Sequence, residues 1–214
     1  MRNFLQKRDI YFMLMFLLTI ILAAIGYLVG SLNSAILVCK SLQLGDPRTE
    51  GSGNPGATNV LRIAGKMPAL IVLLGDILKG LLPVLIAKVI DIDGFELALI
   101  ALACVIGHIF PLFFNFQGGK GVATAFGSLL ILSASVAIVV AIVWGVVVFT
   151  TKYISLASLI AGILSTVLIL FAHTAYFLPL FVITTLIIFR HKDNINRLKL
   201  GTESKFNLQK NETS

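Results

Sequence analysis

Three polar segments, each bordering a long apolar run, carry side chains that bind anions or exchange protons. They are residues 44–66, residues 118–121 and residues 189–204. Glycine-rich backbone approaches an oxyanion closely, lysine and arginine supply positive charge, and imidazole titrates near neutral pH. Together these groups suit a site for phosphorylated or otherwise activated substrates.

The first segment predicts a short helix whose N-terminus faces a serine. Asn54 is the predicted N-cap, Pro55 the first helical residue, and Gly65 the stop after about ten residues. Free N–H groups at this helix start make an anion site beside Ser52, and Arg62 clamps phosphate oxygens with two parallel hydrogen bonds. The alternative is a solvated turn in which the glycines only bend the chain. The residues assigned to this site are Gly51, Ser52, Gly53, Asn54, Thr58, Asn59 and Arg62.

The second segment reads Gly-Gly-Lys-Gly. A nucleotide-binding P-loop has serine or threonine after its lysine, whereas Gly121 and Val122 follow Lys120 here, so ATP binding is not expected. Two interpretations stay open: a loop whose small residues let the backbone approach an oxyanion, or a tight turn whose lysine marks the cytoplasmic side. The residues assigned to phosphate binding are Gly118, Gly119, Lys120 and Gly121.

The third segment follows the last apolar run. His191 and Asn194 are three residues apart and share a face if the helix continues. We assign both to the site, because topology alone does not need a hydrogen-bonding pair at the interface. Lys192 and Lys199 are interpreted as charges at the membrane exit. Further charged residues nearby are Arg190, Arg197 and Glu203.

Two more polar positions lie inside or at the edge of apolar runs. Asp76 and Lys79 fall within one predicted span, where charges are costly and mark a function or a buried pair. Mutual neutralisation is the first interpretation and the lining of a polar cavity the second. His108, shortly before the GGKG segment, either joins the phosphate site or is an interfacial histidine with its own partners.

The composition excludes a soluble domain. Hydrophobic residues make up 57% and charged residues 13% of the 214 residues, with a mean hydropathy of +0.97. Soluble domains are about 45–50% apolar and about 25% charged. The excess of 17 Lys and Arg over 10 Asp and Glu therefore marks membrane topology rather than a nucleic-acid partner. We expect no metal or cofactor, since no ligand-spaced His or Cys set occurs, and Cys39 and Cys104 are predicted to be buried thiols.

The apolar blocks predict an all-α, polytopic membrane protein of about seven transmembrane helices. Residues 10–38, 67–90 and 95–114 form one span each. The first run is longer than the h-region of a signal peptide, so it stays in the protein. Residues 122–189 are predicted to form four short spans, with Lys152 in an inner turn, because two longer helices would exceed the bilayer thickness.

The distribution of basic residues predicts the orientation. Loop 40–66 and the tail after residue 189 are rich in Lys and Arg, so both are expected in the cytoplasm, and the acidic turn 91–96 outside. The three polar segments then share the cytoplasmic face, and the N-terminus lies outside. Three basic residues oppose this orientation: Arg2, Lys7 and Arg8.

Three blocks of sequence together resemble a known family. "GSGNPGATNVLR", "FPLFFNFQGGKGVAT" and "RHKDNINRLKLGTE" are similar, in order and spacing, to the cytoplasmic motifs of the bacterial acyl-phosphate:glycerol-3-phosphate acyltransferases (PlsY). The resemblance runs from about residue 26 to residue 203. Two positions depart from it: Asn33 stands where many members have proline, and Gln117 where a basic residue is common.

The resemblance implies a seven-helix enzyme of the bacterial plasma (inner) membrane, with its active site facing the cytoplasm. It transfers a fatty acyl group from acyl phosphate to the 1-position of sn-glycerol 3-phosphate, giving lysophosphatidic acid and phosphate in phospholipid synthesis. The catalytic residues carried over are Ser52, Arg62, His191 and Asn194, with glycerol phosphate held by residues 118–121 and a structural role for Glu203. One acyltransferase domain is expected over residues 1–203, followed by a polar tail, 204–214.

Direct attack by the glycerol hydroxyl on the acyl carbon is the favoured mechanism, with the proton passing to His191 or to the leaving phosphate. An acyl-enzyme on Ser52 is a lesser possibility. The bilayer is a partner, and a transient contact with the enzyme that makes the acyl phosphate is possible. The alternative function is a transporter or exchanger of organic phosphates, which suits broken apolar blocks and intramembrane charges.

Overall fold

The structure, a computed structural model, describes the backbone of residues 2–206 and the side chains of residues 13–206. This part of the chain contains helices and no strand, which confirms the all-α fold. The basic side chains before residue 13 and the tail 207–214 lie outside the described residues, so the side of the N-terminus and the domain boundary stay predictions. The helices are α1 (Arg2–Gly30), α2 (Ser34–Ser41), α3 (Ala57–Ala64), α4 (Lys66–Val89), α5 (Gly94–Ile109), α6 (Val122–Leu132), α7 (Ala134–Thr151), α8 (Ile154–Ala172), α9 (Phe177–Arg190) and α10 (Lys192–Lys199).

Five helical segments of the described chain are long and apolar enough to cross a bilayer. They are Met13–Ser41, which joins α1 and α2, then Lys66–Val89, Gly94–Phe114, Ala134–Thr151 and Ile154–Ala172. The pair α9 and α10 adds a sixth if it counts as one span, although it bends by 57°. Helix α6 has 11 residues. It is about 16 Å long, roughly half of a hydrocarbon core, so the count of seven stays a prediction.

The long apolar block divides into α6, α7, α8 and α9, the four pieces expected for residues 122–189. Ser133, Lys152 and His173 separate them, at the polar interruptions of the sequence. The first span is also interrupted, because the Asn33 side chain accepts a hydrogen bond from the Ile36 N–H at 3.1 Å and so caps a new helix, α2.

The start of α3 differs from the prediction. The helix begins at Ala57 with Gly56 as its N-cap, so Asn54 as N-cap and Pro55 as first helical residue were wrong. The reason is a tight turn in which the Gly56 N–H donates to the Asn54 carbonyl at 2.9 Å. The predicted stop is confirmed, because Gly65 follows Ala64 with a φ of 83°, a left-handed conformation that glycine adopts readily.

Helices α4 and α6 pack at a distance that only glycine permits. A Cβ on Gly80 would lie 2.0 Å from the Thr124 carbonyl oxygen, and one on Gly127 would lie 2.0 Å from the Ile77 carbonyl oxygen. Small residues allow such close approach of membrane helices. The contact places the start of α6, directly after the GGKG segment, against the polar face of α4.

We expect Gly127→Ala to destabilise the protein and Gly145→Ala to leave it unchanged. The added methyl at position 127 overlaps the α4 backbone, whereas a Cβ at position 145 meets nothing within 4 Å. Overpacking typically costs ~1–3 kcal/mol. Thermal unfolding of both variants in the same detergent checks this, and equal midpoints would contradict the packing described for α4 and α6.

Contacts between loops show which of the loops that connect the helices lie at the same end of the bundle. At one end, the Tyr176 hydroxyl donates to the Asp93 carboxylate and joins the turns that follow α4 and α8. At the other end, the Arg190 guanidinium reaches the GGKG segment. There the Phe206 N–H also donates to the Lys152 carbonyl at 2.7 Å. The GGKG segment, the α9–α10 junction and the α7–α8 turn therefore share one end.

Candidate active site

The three polar segments meet in one cavity of about 970 Å³ at that end of the bundle. The residues predicted for catalysis and phosphate binding all line it except Gly119, which is buried behind the wall. Glu203 and Asp76 also line it, whereas Lys79 does not. Segments separated by more than a hundred residues in sequence thus form a single site.

Asn59 holds the loop that precedes α3. Its side chain is 1% exposed and accepts a hydrogen bond from the Ser52 N–H at 2.7 Å. Its amide nitrogen donates to the carbonyls of Pro47 at 2.9 Å and Glu50 at 3.0 Å. The Asn59 amide thus has three partners within the loop, and because Asn59 also lines the cavity, its role in phosphate binding stays a prediction. Ser52 and Arg62 are exposed and line the cavity.

The GGKG segment wraps around His108. The Gly119 N–H donates to the His108 carbonyl at 3.2 Å, and a Cβ on Gly118 would lie 2.1 Å from the same oxygen. From the other side, Arg190 donates to the Gly118 carbonyl at 2.8 Å and to the Gly119 carbonyl at 3.2 Å. The two carbonyls are therefore engaged by α9. Gly121, with a φ of 83°, then turns the chain into α6.

Lys120 extends from this segment to α10. Its ammonium donates to the Asn194 side-chain oxygen, and the Asn194 amide donates to Glu203 at 2.6 Å. Burial lowers the Lys120 pKa to about 8, although the negative charge of Glu203 partly opposes the shift. Lys120 is thus a desolvated ammonium in the cavity wall that donates to the neutral side-chain oxygen of Asn194.

Glu203 joins the tail to α8 and α10. Its carboxylate accepts from the Ser155 hydroxyl at 2.7 Å and from the Asn194 amide, and its second oxygen accepts from Arg197 at 2.7 Å. Burial acts to raise its pKa, but these hydrogen bonds outweigh burial and lower it. These contacts tie the tail to two helices, and the structural role that the resemblance implies for Glu203 stays a prediction.

His191 lies at the junction of α9 and α10 and is 2% exposed. Its Nδ1 lies 2.8 Å from the Ile187 carbonyl oxygen. A carbonyl only accepts, so Nδ1 carries the proton and Nε2 of the neutral ring is left as an acceptor. Burial lowers the His191 pKa to about 4, and the positive charge of Lys120 adds to the shift. The ring is therefore neutral at physiological pH.

Asp76 and Lys79 form the buried pair that the sequence suggested. The Lys79 ammonium lies 2.9 Å from the Asp76 carboxylate and donates to the Leu32 carbonyl at 2.9 Å, at the break between α1 and α2. Asp76 also lines the cavity, whereas Lys79 does not, so the cavity-lining interpretation applies to Asp76 alone. His108 is buried, and its Nδ1 lies 3.0 Å from the Thr124 hydroxyl.

The cavity continues from its polar mouth between apolar side chains of α6, α7, α8 and α9. Trp144 forms part of this wall and donates its indole N–H to the Ser158 hydroxyl at 3.3 Å. Thr184, also in the wall, shares a 2.8 Å hydrogen bond with Thr166. The polar groups in this region therefore bond to one another, so the inner cavity is suited to a hydrocarbon chain.

Metal-binding groups are not gathered in this cavity. Over the described residues, no three His, Cys, Asp or Glu side chains lie close enough to hold a metal ion. Cys39 and Cys104 are free and buried, as predicted.

Comparison with known proteins identifies the family. The family model described as glycerol-3-phosphate acyltransferase matches residues 20–201, which span all three polar segments. This chain belongs to the glycerol-3-phosphate acyltransferase family. A relative of that name from Shewanella sp. (strain W3-18-1) is 48% identical over 193 residues, covering 90% of this chain and 95% of the relative. Another relative of that name, from Shewanella sediminis (strain HAW-EB3), is 49% identical over 193 residues, covering 90% of this chain and 96% of the relative.

Two solved structures of a family member have the same fold. The crystal structure of PlsY (YgiH), an integral membrane glycerol 3-phosphate acyltransferase, in its glycerol 3-phosphate form matches with a TM-score of 0.84 and 42% identity over 88% of this chain and 96% of that one. The lysophosphatidic acid form of the same protein matches with a TM-score of 0.82 and 41% identity, over 89% of this chain and 96% of that one. This chain is accordingly a multi-pass membrane acyltransferase, and the transporter alternative is set aside.

Sequence reasoning missed three residues of this acyltransferase site. Arg190 was noted only as a neighbouring charge, Ser155 was not considered, and Thr124 was not singled out. Each acts on another segment of the chain, through Gly118, Glu203 and His108 respectively. Their positions after an apolar run or near a helix start are common, so no local pattern marked them.

The lowered pKa of Lys120 predicts how this acyltransferase responds to pH. The ammonium is charged below about 8 and loses its proton as the pH rises through that value. The second pKa of a phosphate monoester is near 6, so glycerol 3-phosphate keeps its charge over this range. We expect KM for glycerol 3-phosphate to rise across that range, measured by initial rates at saturating donor. A KM that is constant over one pH unit on either side of 8 would contradict the assignment.

Proposed function

We propose that this acyltransferase moves a fatty acyl group from an acyl phosphate to the 1-hydroxyl of sn-glycerol 3-phosphate, giving lysophosphatidic acid and inorganic phosphate. One observation carries the proposal: a single cavity has a mouth lined by Arg62, Lys120 and glycine-rich backbone, and an interior lined by apolar side chains. A water-soluble phosphate ester and a donor with a hydrocarbon tail are the two substrates such a cavity suits.

The polar mouth offers two places for phosphate. Ser52 and Arg62 belong to one wall, and the GGKG segment with Lys120 belongs to another. We propose that the first wall holds the phosphate of the donor and the second that of glycerol 3-phosphate. Arginine supplies a bidentate fork and lysine a point charge, which suits two phosphates in different positions.

The chemistry requires no covalent intermediate. The glycerol oxygen forms a bond to the acyl carbon, the bond from that carbon to the phosphate oxygen breaks, and phosphate leaves with the electron pair. The hydroxyl proton passes to Nε2 of His191 or to the leaving phosphate. A pKa of about 4 makes His191 a weak base, which favours the leaving phosphate as the proton acceptor, and bound anions raise the pKa of the ring. Positioning and charge stabilisation then supply most of the rate acceleration.

The membrane side is part of the proposal. We propose that the site end of the bundle faces the cytoplasm of a bacterial plasma membrane, because basic residues gather around the cavity at that end: Arg62, Lys120, Arg190, Lys192 and Arg197. The apolar interior then receives the donor chain from the bilayer. A transient contact with the enzyme that makes the acyl phosphate stays part of this proposal.

The donor class is tested with purified protein in detergent and three donors of the same acyl chain: acyl phosphate, acyl-CoA and acyl carrier protein. We expect lysophosphatidic acid from acyl phosphate alone. Equal turnover with a thioester donor would contradict the proposal. The His191→Asn variant, assayed in parallel, assigns the proton acceptor: near-normal kcat identifies the leaving phosphate, and a large loss of kcat identifies the histidine.

A further inference from the structure

Four buried polar side chains from three helices meet beneath the GGKG segment. They are Asp76, Lys79, His108 and Thr124, with exposures of 3%, 6%, 5% and 0%. Lys79 lies 2.9 Å from Asp76, Asp76 lies 3.7 Å from His108 Nδ1, and Thr124 lies 3.0 Å from the same nitrogen. Charged groups within a membrane span are costly to bury, so a cluster of this kind calls for a function.

Neutralisation alone does not account for the arrangement. The Lys79 ammonium also donates to the Leu32 carbonyl, which the break between α1 and α2 exposes. The Asp76 Oδ1 atom is fully buried and lies 2.9 Å from the Lys79 ammonium, its ion-pair partner. The His108 Nδ1 atom lies 3.7 Å from the same carboxylate oxygen. The carboxylate therefore places negative charge against the imidazole.

His108 in turn fixes both sides of Lys120. On the preceding side, its carbonyl accepts from the Gly119 N–H, and a Cβ on Gly119 would lie 2.2 Å from His108 Nε2. On the following side, its Nδ1 contacts Thr124 in the first turn of α6. The backbone and the ring of His108 therefore contact the chain on both sides of Lys120, at the glycine segment and at the start of α6.

We propose that Asp76 and Thr124 are positioning residues for the glycerol phosphate half of the site. Acting through His108, they hold the GGKG segment so that Lys120 lies in the cavity wall. The inference rests on the proposed function, in which this segment holds the phosphate of glycerol 3-phosphate. Neither residue needs to touch the substrate.

Thr124 is tested with Thr124→Val and Thr124→Ser. Valine keeps the shape and removes the hydroxyl, whereas serine keeps the hydroxyl. We expect Thr124→Val to raise KM for glycerol 3-phosphate about tenfold, as loss of a buried hydrogen bond would, with KM for acyl phosphate changed less than about twofold. Thr124→Ser should restore the wild-type KM. Thr166→Val is the matched control, since it removes another buried hydroxyl, one bonded to Thr184 away from the GGKG segment.

Asp76 is tested without leaving a lone charge in the membrane. The double variant Asp76→Asn with Lys79→Met removes both charges together. A pair that only neutralises itself predicts wild-type KM values for this variant, whereas the positioning role predicts a higher KM for glycerol 3-phosphate with an unchanged KM for the donor. If Thr124→Val does not fold, the double variant still decides between the two roles.

Binding of glycerol 3-phosphate can be measured independently of acyl transfer. Equilibrium binding of radiolabelled glycerol 3-phosphate is measured for the wild type and each variant, without any donor present. Suppose that the wild-type protein binds glycerol 3-phosphate and turns over acyl phosphate. If Thr124→Val and the double variant then bind glycerol 3-phosphate with the same affinity as the wild type, the positioning role is overturned and the proposed function stands. A wild-type protein that binds glycerol 3-phosphate but makes no product from acyl phosphate would overturn the donor assignment and leave the positioning role standing.

Discussion

Replacing Lys120 with methionine is expected to lower kcat/KM for glycerol 3-phosphate by about 100-fold, the effect of losing a buried charge-assisted contact to phosphate. Methionine has nearly the length of lysine and keeps the apolar contacts of its stem. The lost group is the ammonium that donates to Asn194 in the cavity wall. Because Asn194 keeps its bond to Glu203, the fold around α10 should be preserved. Initial rates at saturating donor measure the effect.

Lys192→Met is the matched control. Lys192 lies 5.8 Å from the ring centre of Phe189 and is exposed at the surface of the same region. We expect its removal to change kcat/KM by less than about twofold, since exposed charges contribute little. Equal losses in both variants would mean that Lys120 acts only through the general positive charge of this face.

The second large effect is expected for Arg190→Lys. Arg190 donates in parallel to the Gly118 and Gly119 carbonyls, and lysine lacks the planar fork that reaches both. Without the clamp, the two carbonyls are free to rotate toward the incoming phosphate and repel it. We expect kcat/KM for glycerol 3-phosphate to fall about 100-fold, the usual cost of misplacing a substrate-positioning element.

Arg48→Lys provides the comparison for this substitution. Arg48 also makes a forked contact, to the Asp46 carboxylate, but its side chain is 27% exposed and does not line the cavity. We expect a change of less than about twofold there. If Arg190→Lys keeps wild-type kinetics while circular dichroism shows an intact fold, then Arg190 does not hold the GGKG segment in the conformation that glycerol 3-phosphate requires.

The long apolar runs of the sequence were sufficient to predict a membrane protein, and the polar residues that interrupt them were sufficient to predict where the helices break. Ser133, Lys152 and His173 separate helices where predicted, since polar residues and left-handed turns end helices locally. The number of membrane spans was harder to predict from the sequence, because α6 is too short to be recognised as a span by its length and composition. The start of α3 was misplaced, because Asn54 belongs to a turn rather than to the cap.

Site residues that face the cavity were easier to predict than those that support it. Hydroxyl and cationic side chains are typical of anion-binding sites, and the three that were predicted on this basis all line the cavity: Ser52, Arg62 and Lys120. The role of Asn59 depends on the carbonyls of residues 47 and 50, which its spacing on α3 does not reveal. Arg190 contacts a segment about seventy residues earlier in the chain, a distance that only the folded helices bridge.

In the proposed reaction, one cavity holds acyl phosphate and glycerol 3-phosphate together, and the acyl group passes directly between them. Rapid-quench measurement of phosphate release by purified protein distinguishes this direct transfer from an acyl-enzyme route. We expect no release with acyl phosphate alone beyond that of the enzyme-free control, and one phosphate per lysophosphatidic acid once glycerol 3-phosphate is added. A burst of phosphate equal to the enzyme concentration before glycerol 3-phosphate is added, with acyl-Ser52 trapped, would contradict it.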